Sequence, residues 1–452
     1  MAISMLSSPP LPAVERRAVM PRGFRAGAST AGIKASGRPD LGLVVARDGA
    51  SAAAVFTPNA FAAAPVQLSR ANLAATSRDP RGGFGYASAI VSTSGCANAA
   101  TGAAGDADQA QVGGSVSSTL GIDQARVLHL STGIIGTRLP LDLVAKGIAT
   151  LAPTLSHDDA ALEAVAEALR TTDSVAKVAT TSLVLPDAEG EPVTVTITGI
   201  AKGVGMIHPN MATMLSVVLT DAAAPPEVLW NLLRPAAART WDQLSVDGDT
   251  STNDTVFLLA SGASGAAPLA PDSPAAVAFG AALEAVARDL ARQQAADGEG
   301  ATILISASVT GATDDADARA VARAVVSSSL VKAAAHGKDP NWGRIAGAAG
   351  NAVTASAAVL EAAGLPSDLA ARRASQPAAL DPDRLRISIA GHLVFDGAQG
   401  GPLQFDRGAA RAAMDAPELL IELDLGLGDG VGQAFGCDLT EQYVIENSEY
   451  TT

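Results

Sequence analysis

An α/β fold, with mixed sheets layered by helices, is what this chain predicts, and three observations predict it. Strand-like and helix-like patterns interleave along the sequence rather than falling into separate blocks. Hydrophobic residues make up 48% of the 452 residues and charged residues 17%, enough for a large core and too apolar for disorder. Only 3% are aromatic, with 44 glycines and abundant alanine, so that core must be built from small aliphatic side chains and close backbone approaches.

Taken in order, Leu41 to Ala46, Ala52 to Phe56 and Ala87 to Val91 are short apolar runs between turn signals, read as strands. Ser156 to Leu169 reads as a helix. Ser156 is its candidate cap, Asp158 and Asp159 sit in an acidic first turn, and Leu162, Val165 and Leu169 share one face. Ala179–Leu185 and Val193–Ile200 read as a hairpin around Pro186 to Pro192, because Thr194, Thr196 and Thr198 alternate with Val193, Val195 and Ile197. Beyond it, a helix follows Pro226 and a strand follows Asp254. A long helix runs from about Ala275 to Ala296, striped by Phe279, Leu283, Val286 and Leu290. A strand spans Thr302 to Val309, and a helix with Asp314 and Asp315 in its first turn begins after Thr313. Residues 261–274 read as a surface connector, and 364–382, rich in Gly and Pro, as an insertion or link.

The net charge of −15 argues against nucleic acid and anionic membrane as partners. Residues 1–20 lack both an apolar core segment and a basic start, so they read as a disordered extension rather than a secretory signal. Cys96 and Cys437 form neither a zinc motif nor a disulfide framework, and a cytoplasmic setting with reduced thiols is the expectation.

The chemistry concentrates in residues 202–215, Lys-Gly-Val-Gly-Met-Ile-His-Pro-Asn-Met-Ala-Thr-Met-Leu. A glycine-rich loop leads to Ala212–Thr213 and then to an apolar run. A small residue followed by Thr at the mouth of a buried strand is what a self-cleaving nucleophile requires. The Thr213 hydroxyl attacks the Ala212 carbonyl, the ester hydrolyses, and Thr213 becomes a new N-terminus. Its α-amine, with a pKa of about 7.7–8.0, is then a general base beside its own hydroxyl. His129, His208 and His336 show no metal-ligand spacing.

The whole run resembles the cleavage motif of the ornithine acetyltransferase family, the ArgJ-type glutamate N-acetyltransferases. So do Pro21–Arg25, Ala31–Lys34, Ala54–Asn59, Ser131–Gly136, Ser251–Thr255, Asp339–Arg344 and Asn447–Thr452, in family order over about residues 20 to 452. The resemblance implies an ArgJ/DmpA-like α/β fold cut into two chains, residues 21–212 and 213–452, that stay associated and assemble as a heterotetramer. It implies a helix over residues 101–120, where propensity argues against one.

It also implies transfer of acetyl from N-acetylornithine to glutamate through an acetyl-Thr213 intermediate in arginine biosynthesis. No metal or prosthetic group is implied, and acetyl-CoA enters as a second donor if the enzyme is bifunctional. Thr132 and Gly133 carry over as the oxyanion hole. Lys202 carries over as a substrate-binding lysine, as does one of Thr171 and Thr172, with Thr171 favoured. Glu299, flanked by glycines, carries over as a ligand for the substrate ammonium or as an aid to proton transfer. Asn447 and Thr452 carry over as contacts from a closing tail. Asp339–Arg344 and Ser251–Asp254 read as structural support. Two departures, Cys96 in Thr93–Asn98 and Ile303 after Ala301-Thr302, keep open a paralogue of a secondary-metabolite pathway. An N-terminal-nucleophile amidase or aminopeptidase is the other alternative.

Overall fold

Two mixed β-sheets, with helices on and between them, make up the computed structural model, which describes residues 11–208 and 214–448. In chain order the strands are β1 (Phe24–Ser29), β2 (Leu41–Phe56), β3 (Phe84–Cys96), β4 (Val127–Ile134), β5 (Lys177–Pro186), β6 (Pro192–Lys202) and β7 (Leu215–Thr220). They continue with β8 (Leu244–Ser245), β9 (Thr255–Ala260), β10 (Leu304–Ala312), β11 (Arg386–Ile389), β12 (His392–Asp396), β13 (Gly401–Pro402), β14 (Glu418–Asp424) and β15 (Gly430–Cys437). The first sheet has the order β4-β3-β2-β9-β7-β6-β5, with β1 added on β2; the second has the order β13-β12-β11-β14-β10-β15-β8. Each sheet mixes directions: β3 is parallel to β4 and β7 to β9, whereas β6 is antiparallel to β7.

Period-two alternation sorts the strand residues between layers. Ala53 and Val55 of β2 face helices Pro226–Arg239 and Pro274–Ala296, while Ala52 and Ala54 face helix Asp159–Leu169. In the second sheet Leu304 joins the first of these cores, and Ile305, Ala307 and Val309 turn to helix Asp315–Ser327. The long helix Pro274–Ala296 therefore lies between the sheets. Its stripe of Phe279, Leu283, Val286 and Leu290 meets Val195 and Ile197 on one side and Phe435 on the other.

Strand β7 begins just after the Ala212–Thr213 bond and sits between β6 and β9. β9 in turn pairs with β2. The first sheet is thus woven from segments on both sides of that bond, whereas the second takes all its strands from residues after it. Ala212, Thr213 and Thr452 lie outside the described residues.

Several boundaries differ from the sequence reading. The two runs at 41–46 and 52–56 are one strand, β2, whose pairing with β3 shifts register between Val45 and Ala50. Residues 102–120 are helical despite their composition, because Val112 and Val116 bury against Leu41, Val144 and Ile148. Gly121, at φ 68°, closes that helix by donating its N–H to Ser117. Ser156 is not a cap. Its hydroxyl bonds Asp158 at 2.6 Å, and the helix starts at Asp159 with Asp158 as the N-cap residue.

Residues 13–20, expected to belong to a disordered extension, lie against the body. Glu15 and Thr180 exchange two backbone hydrogen bonds at 2.8 Å, Arg16 pairs with Asp289, and Ala18 is buried. The connector at 261–274 is pinned by Leu269, buried and bonded to the Ala223 carbonyl. Among the described residues no helix is long and apolar enough to cross a membrane.

Candidate active site

A cavity of 280 Å³ opens at the ends of β4 and β6, where Thr132, Gly133, Thr171, Thr172, Lys202, Glu299 and Asn447 meet. Each of these residues was singled out from sequence. Lys202 is the last residue of β6 and only 3% exposed. Its Nζ donates to Thr171 Oγ1 at 2.8 Å and to Thr132 Oγ1 at 3.3 Å. A hydroxyl has one hydrogen. With their oxygens accepting from Lys202, Thr132 and Thr171 keep their own O–H groups to donate elsewhere, and the cavity is the space they line.

Behind Lys202 stands Asp173, fully buried, at 3.8 Å. Asp173 also accepts from Lys177 at 2.7 Å and from the Gly203 N–H at 2.7 Å. Burial alone would raise the Asp173 carboxyl. The Lys202 and Lys177 charges and the Gly203 N–H outweigh it and hold the group below the usual carboxylate range. Burial pushes the Lys202 ammonium down, and the Asp173 charge opposes that. The lysine is thus held by an ionised partner from behind while its front faces the cavity.

Glu299 sits across from it. Oε1 accepts from Thr172 Oγ1 at 2.8 Å and Oε2 from Asn447 Nδ2 at 2.9 Å. Its backbone N–H donates to Val204, tying this carboxylate to the loop that leads to Thr213. Gly205 is what makes room for it, because a Cβ there would overlap the Glu299 carboxylate. Gly133 answers a similar constraint. Its φ is 131°, and a Cβ would collide with the backbone of Gly95 and Cys96 on neighbouring β3. Both of the threonines left as alternatives line the cavity, Thr171 bonded to the lysine and Thr172 to the glutamate.

Sequence reading undervalued two groups. Ser251, Thr252 and Asn253, read as support, line the cavity, and Asn253 Nδ2 donates at 2.8 Å to both Ala97 and Ser131 carbonyls. Asp254, the next residue, is buried and accepts the Met214 N–H at 3.0 Å on Oδ1, while Oδ2 has no partner among the described residues. Burial raises this carboxyl well above its ordinary value, against the pull of the Met214 N–H. Asp254 stood inside the quoted Ser251–Thr255 block and Asp173 directly follows the two candidate threonines, so those neighbours were the signal. The Asp339–Arg344 segment goes elsewhere. Asn341 caps helix Trp342–Gly350, Trp342 packs on Phe395, and none of the segment lines this cavity. Of the departures from the family pattern, Cys96 is buried with Sγ near the Thr137 carbonyl, and Ile303 is a core residue.

The model of the ArgJ family matches residues 25–452. The chain is 44% identical over 441 residues to the arginine biosynthesis bifunctional protein ArgJ of a Synechococcus species, an alignment covering 96% of each. It is 43% identical over 433 residues to the protein of that name from Thermus thermophilus, covering 96% of this chain and 99% of that one. Its identity to the protein of that name from Geobacillus stearothermophilus is 40% over 434 residues, covering 96% of each.

Proposed function

The chain belongs to the ArgJ family, and from that membership we propose that it is a self-cleaving glutamate N-acetyltransferase of arginine biosynthesis, acting in the cytoplasm. The observation that carries the reading is the convergence of one cation, one anion and two cavity-facing hydroxyls at the loop that leads to Thr213. Maturation and turnover then use the same hydroxyl. Thr213 Oγ attacks the Ala212 carbonyl carbon, the C–N bond breaks, and water hydrolyses the resulting ester. The freed α-amine takes the hydroxyl proton in the next attack, on the acetyl carbonyl of N2-acetylornithine. Ornithine leaves with the proton, and the amine of glutamate removes the acetyl group in the second half-reaction.

Each attack places negative charge on a carbonyl oxygen. Thr132 and the Gly133 N–H are assigned to it, with Lys202 polarising the Thr132 hydroxyl. Lys202 also answers the substrate carboxylate and Glu299 the ornithine ammonium, and Thr171, Asn447 and Thr452 complete the binding set. Asp254, which accepts the Met214 N–H, is assigned to positioning the nucleophile. The pieces 1–212 and 213–452 stay together because parting them means breaking the β6–β7 and β2–β9 ladders, and two such pairs form the heterotetramer. Acetyl-CoA serves as a second acetyl donor; no metal is used.

Intact mass and N-terminal sequencing test the nucleophile. Wild type gives a fragment starting at Thr213, and Thr213→Ala gives one uncut 45.1 kDa chain without transfer activity. Cleavage of that variant at the same bond would remove Thr213 from the role. N-acetylornithine supplied with and without glutamate tests the reaction: release of ornithine that ignores glutamate would make the protein an amidase.

A further inference from the structure

A second, larger cavity of 780 Å³ lies on the other side of the same loop. Gly205 and Met206 face the candidate active site, and His208, two residues on, faces this one. Further polar lining comes from helix Asp315–Ser327 and the residue after it, through Arg323, Ser327 and Ser328, and from helix Trp342–Gly350 with its two caps, through Asn341, Arg344 and Asn351. Among the described residues no Asp or Glu lines it, in a chain whose net charge is −15.

The two arginines are unusual in what they bond. Arg323 Nη2 donates to the Val353 carbonyl at 3.2 Å and Arg344 Nη1 to the Leu330 carbonyl at 2.9 Å. Among the described residues neither forms an ion pair. The acid whose field reaches Arg323, Asp242, is already paired with Arg234 at 2.8 Å. Ser327 Oγ is buried without a partner among the described residues. Both arginines are half-buried, and a guanidinium with most of its five donors unused by protein groups suits an acceptor that takes two bonds at once.

Arginine content alone does not mark such a place. A 750 Å³ cavity elsewhere holds Arg239, Arg288 and Arg319, but Glu284 and Asp315 line it too and pair with all three. There the charges are internally settled; at Arg323 and Arg344 they are not.

We infer that the 780 Å³ cavity binds a phosphate-bearing small molecule through Arg323 and Arg344. Its volume falls within the range of about 300–1,000 Å³ that small-molecule sites occupy. Two sources supply that chemistry, the nucleotide phosphates of acetyl-CoA and a free phosphorylated metabolite. The first rests on the proposed use of acetyl-CoA; the anion site itself does not.

Titration calorimetry on the full purified protein tests it, with inorganic pyrophosphate and coenzyme A as probes and Arg344→Gln, Arg344→Lys and Arg323→Gln as variants. The expected result is saturable binding of pyrophosphate to wild type, weakened about ten-fold by Arg344→Gln and less by Arg344→Lys, with the melting temperature of the Arg344 variants unchanged. If coenzyme A competes with pyrophosphate, and Arg344→Gln raises the KM for acetyl-CoA while exchange between N-acetylornithine and glutamate stays at the wild-type rate, the ligand is the coenzyme. If pyrophosphate binds and acetyl-CoA kinetics do not move, the ligand is a free phosphorylated metabolite. Binding of both probes that ignores the Arg344 and Arg323 substitutions, or no binding at all, overturns the site. Wild-type protein lacking the exchange reaction overturns the proposed function instead, and leaves the calorimetry to decide the site.

Discussion

In the 280 Å³ cavity each charge has a counterpart: Lys202 is backed by Asp173, and Glu299 is held by Thr172 and Asn447. In the 780 Å³ cavity, one loop away, two guanidiniums meet, among the described residues, only carbonyl oxygens. The smaller space is the one built for a reaction, because its groups are oriented by partners before any ligand arrives. The larger space offers guanidinium donors with no carboxylate beside them among the described residues, which suits capture of an anion. Volume does not separate binding from chemistry here; the settlement of charge does.

The comparison breaks most severely at Lys202. Lys202→Ala removes the cavity's cation, unlatches Thr132 and Thr171, and leaves Asp173 with Lys177 alone. Deleting one partner of a buried pair costs about 3–5 kcal/mol. The expected outcome is a fall in kcat/KM of roughly 10³-fold for acetyl donors with charged and neutral side chains alike. Steady-state kinetics with both donors check it, and a loss confined to one donor would contradict the carboxylate role.

Thr132→Ala comes next. Losing one oxyanion donor costs about 10²-fold in kcat, with the melting temperature unchanged. Single-turnover acetylation of the enzyme reads the step directly, and an unaltered rate would free Thr132 of the assignment.

His129 sharpens the comparison from outside both cavities. It is fully buried, with Nδ1 on the Gln109 amide at 3.0 Å and Nε2 without a partner among the described residues, and burial pushes its pKa down to about 3. Between there and the unfolded value near 6.5 the unfolded chain binds the extra proton, so stability falls as pH drops through that window. At pH 5 the loss due to this residue is about 2 kcal/mol relative to pH 7. Urea midpoints for wild type and His129→Gln at the two pH values should converge in acid; an equal slope for both would show that His129 is not the titrating group. Burial of an ionisable group is therefore not by itself the mark of a site.

The smallest effect is one of selectivity. Glu299→Gln removes the charge, keeps one acceptor for Asn447, and turns the atom facing the Thr172 hydroxyl into a donor. It should cost about ten-fold more kcat/KM for N2-acetylornithine than for an acetylated donor with a neutral side chain. Equal losses would move Glu299 to proton transfer or structure.

Local pattern carried much of this protein in the sequence. The Val/Thr alternation of residues 193–198 gave β6, and the Phe279–Leu290 stripe gave the long helix, because each encodes only which face is buried. The cleavage loop and the Thr132, Lys202, Glu299 and Asn447 blocks were legible as motifs for the same reason: each is a short run. Elsewhere the local signal misled. Residues 102–120 were too Gly-rich to read as helix until Val112 and Val116 found a core, and Ser156 had the chemistry of a cap without the place of one. Only the tertiary structure decided that β7 lies between β6 and β9, that Asp173 backs Lys202, and that Asn341, Gly343 and Arg344 line the larger cavity. Such facts join distant segments. Thr172 and Glu299 are 127 residues apart and Asn447 and Glu299 are 148 apart. Periodicity within a window of a dozen residues cannot say which distant strand or carboxylate will complete a pair, because that partner is chosen by the packing of the whole chain.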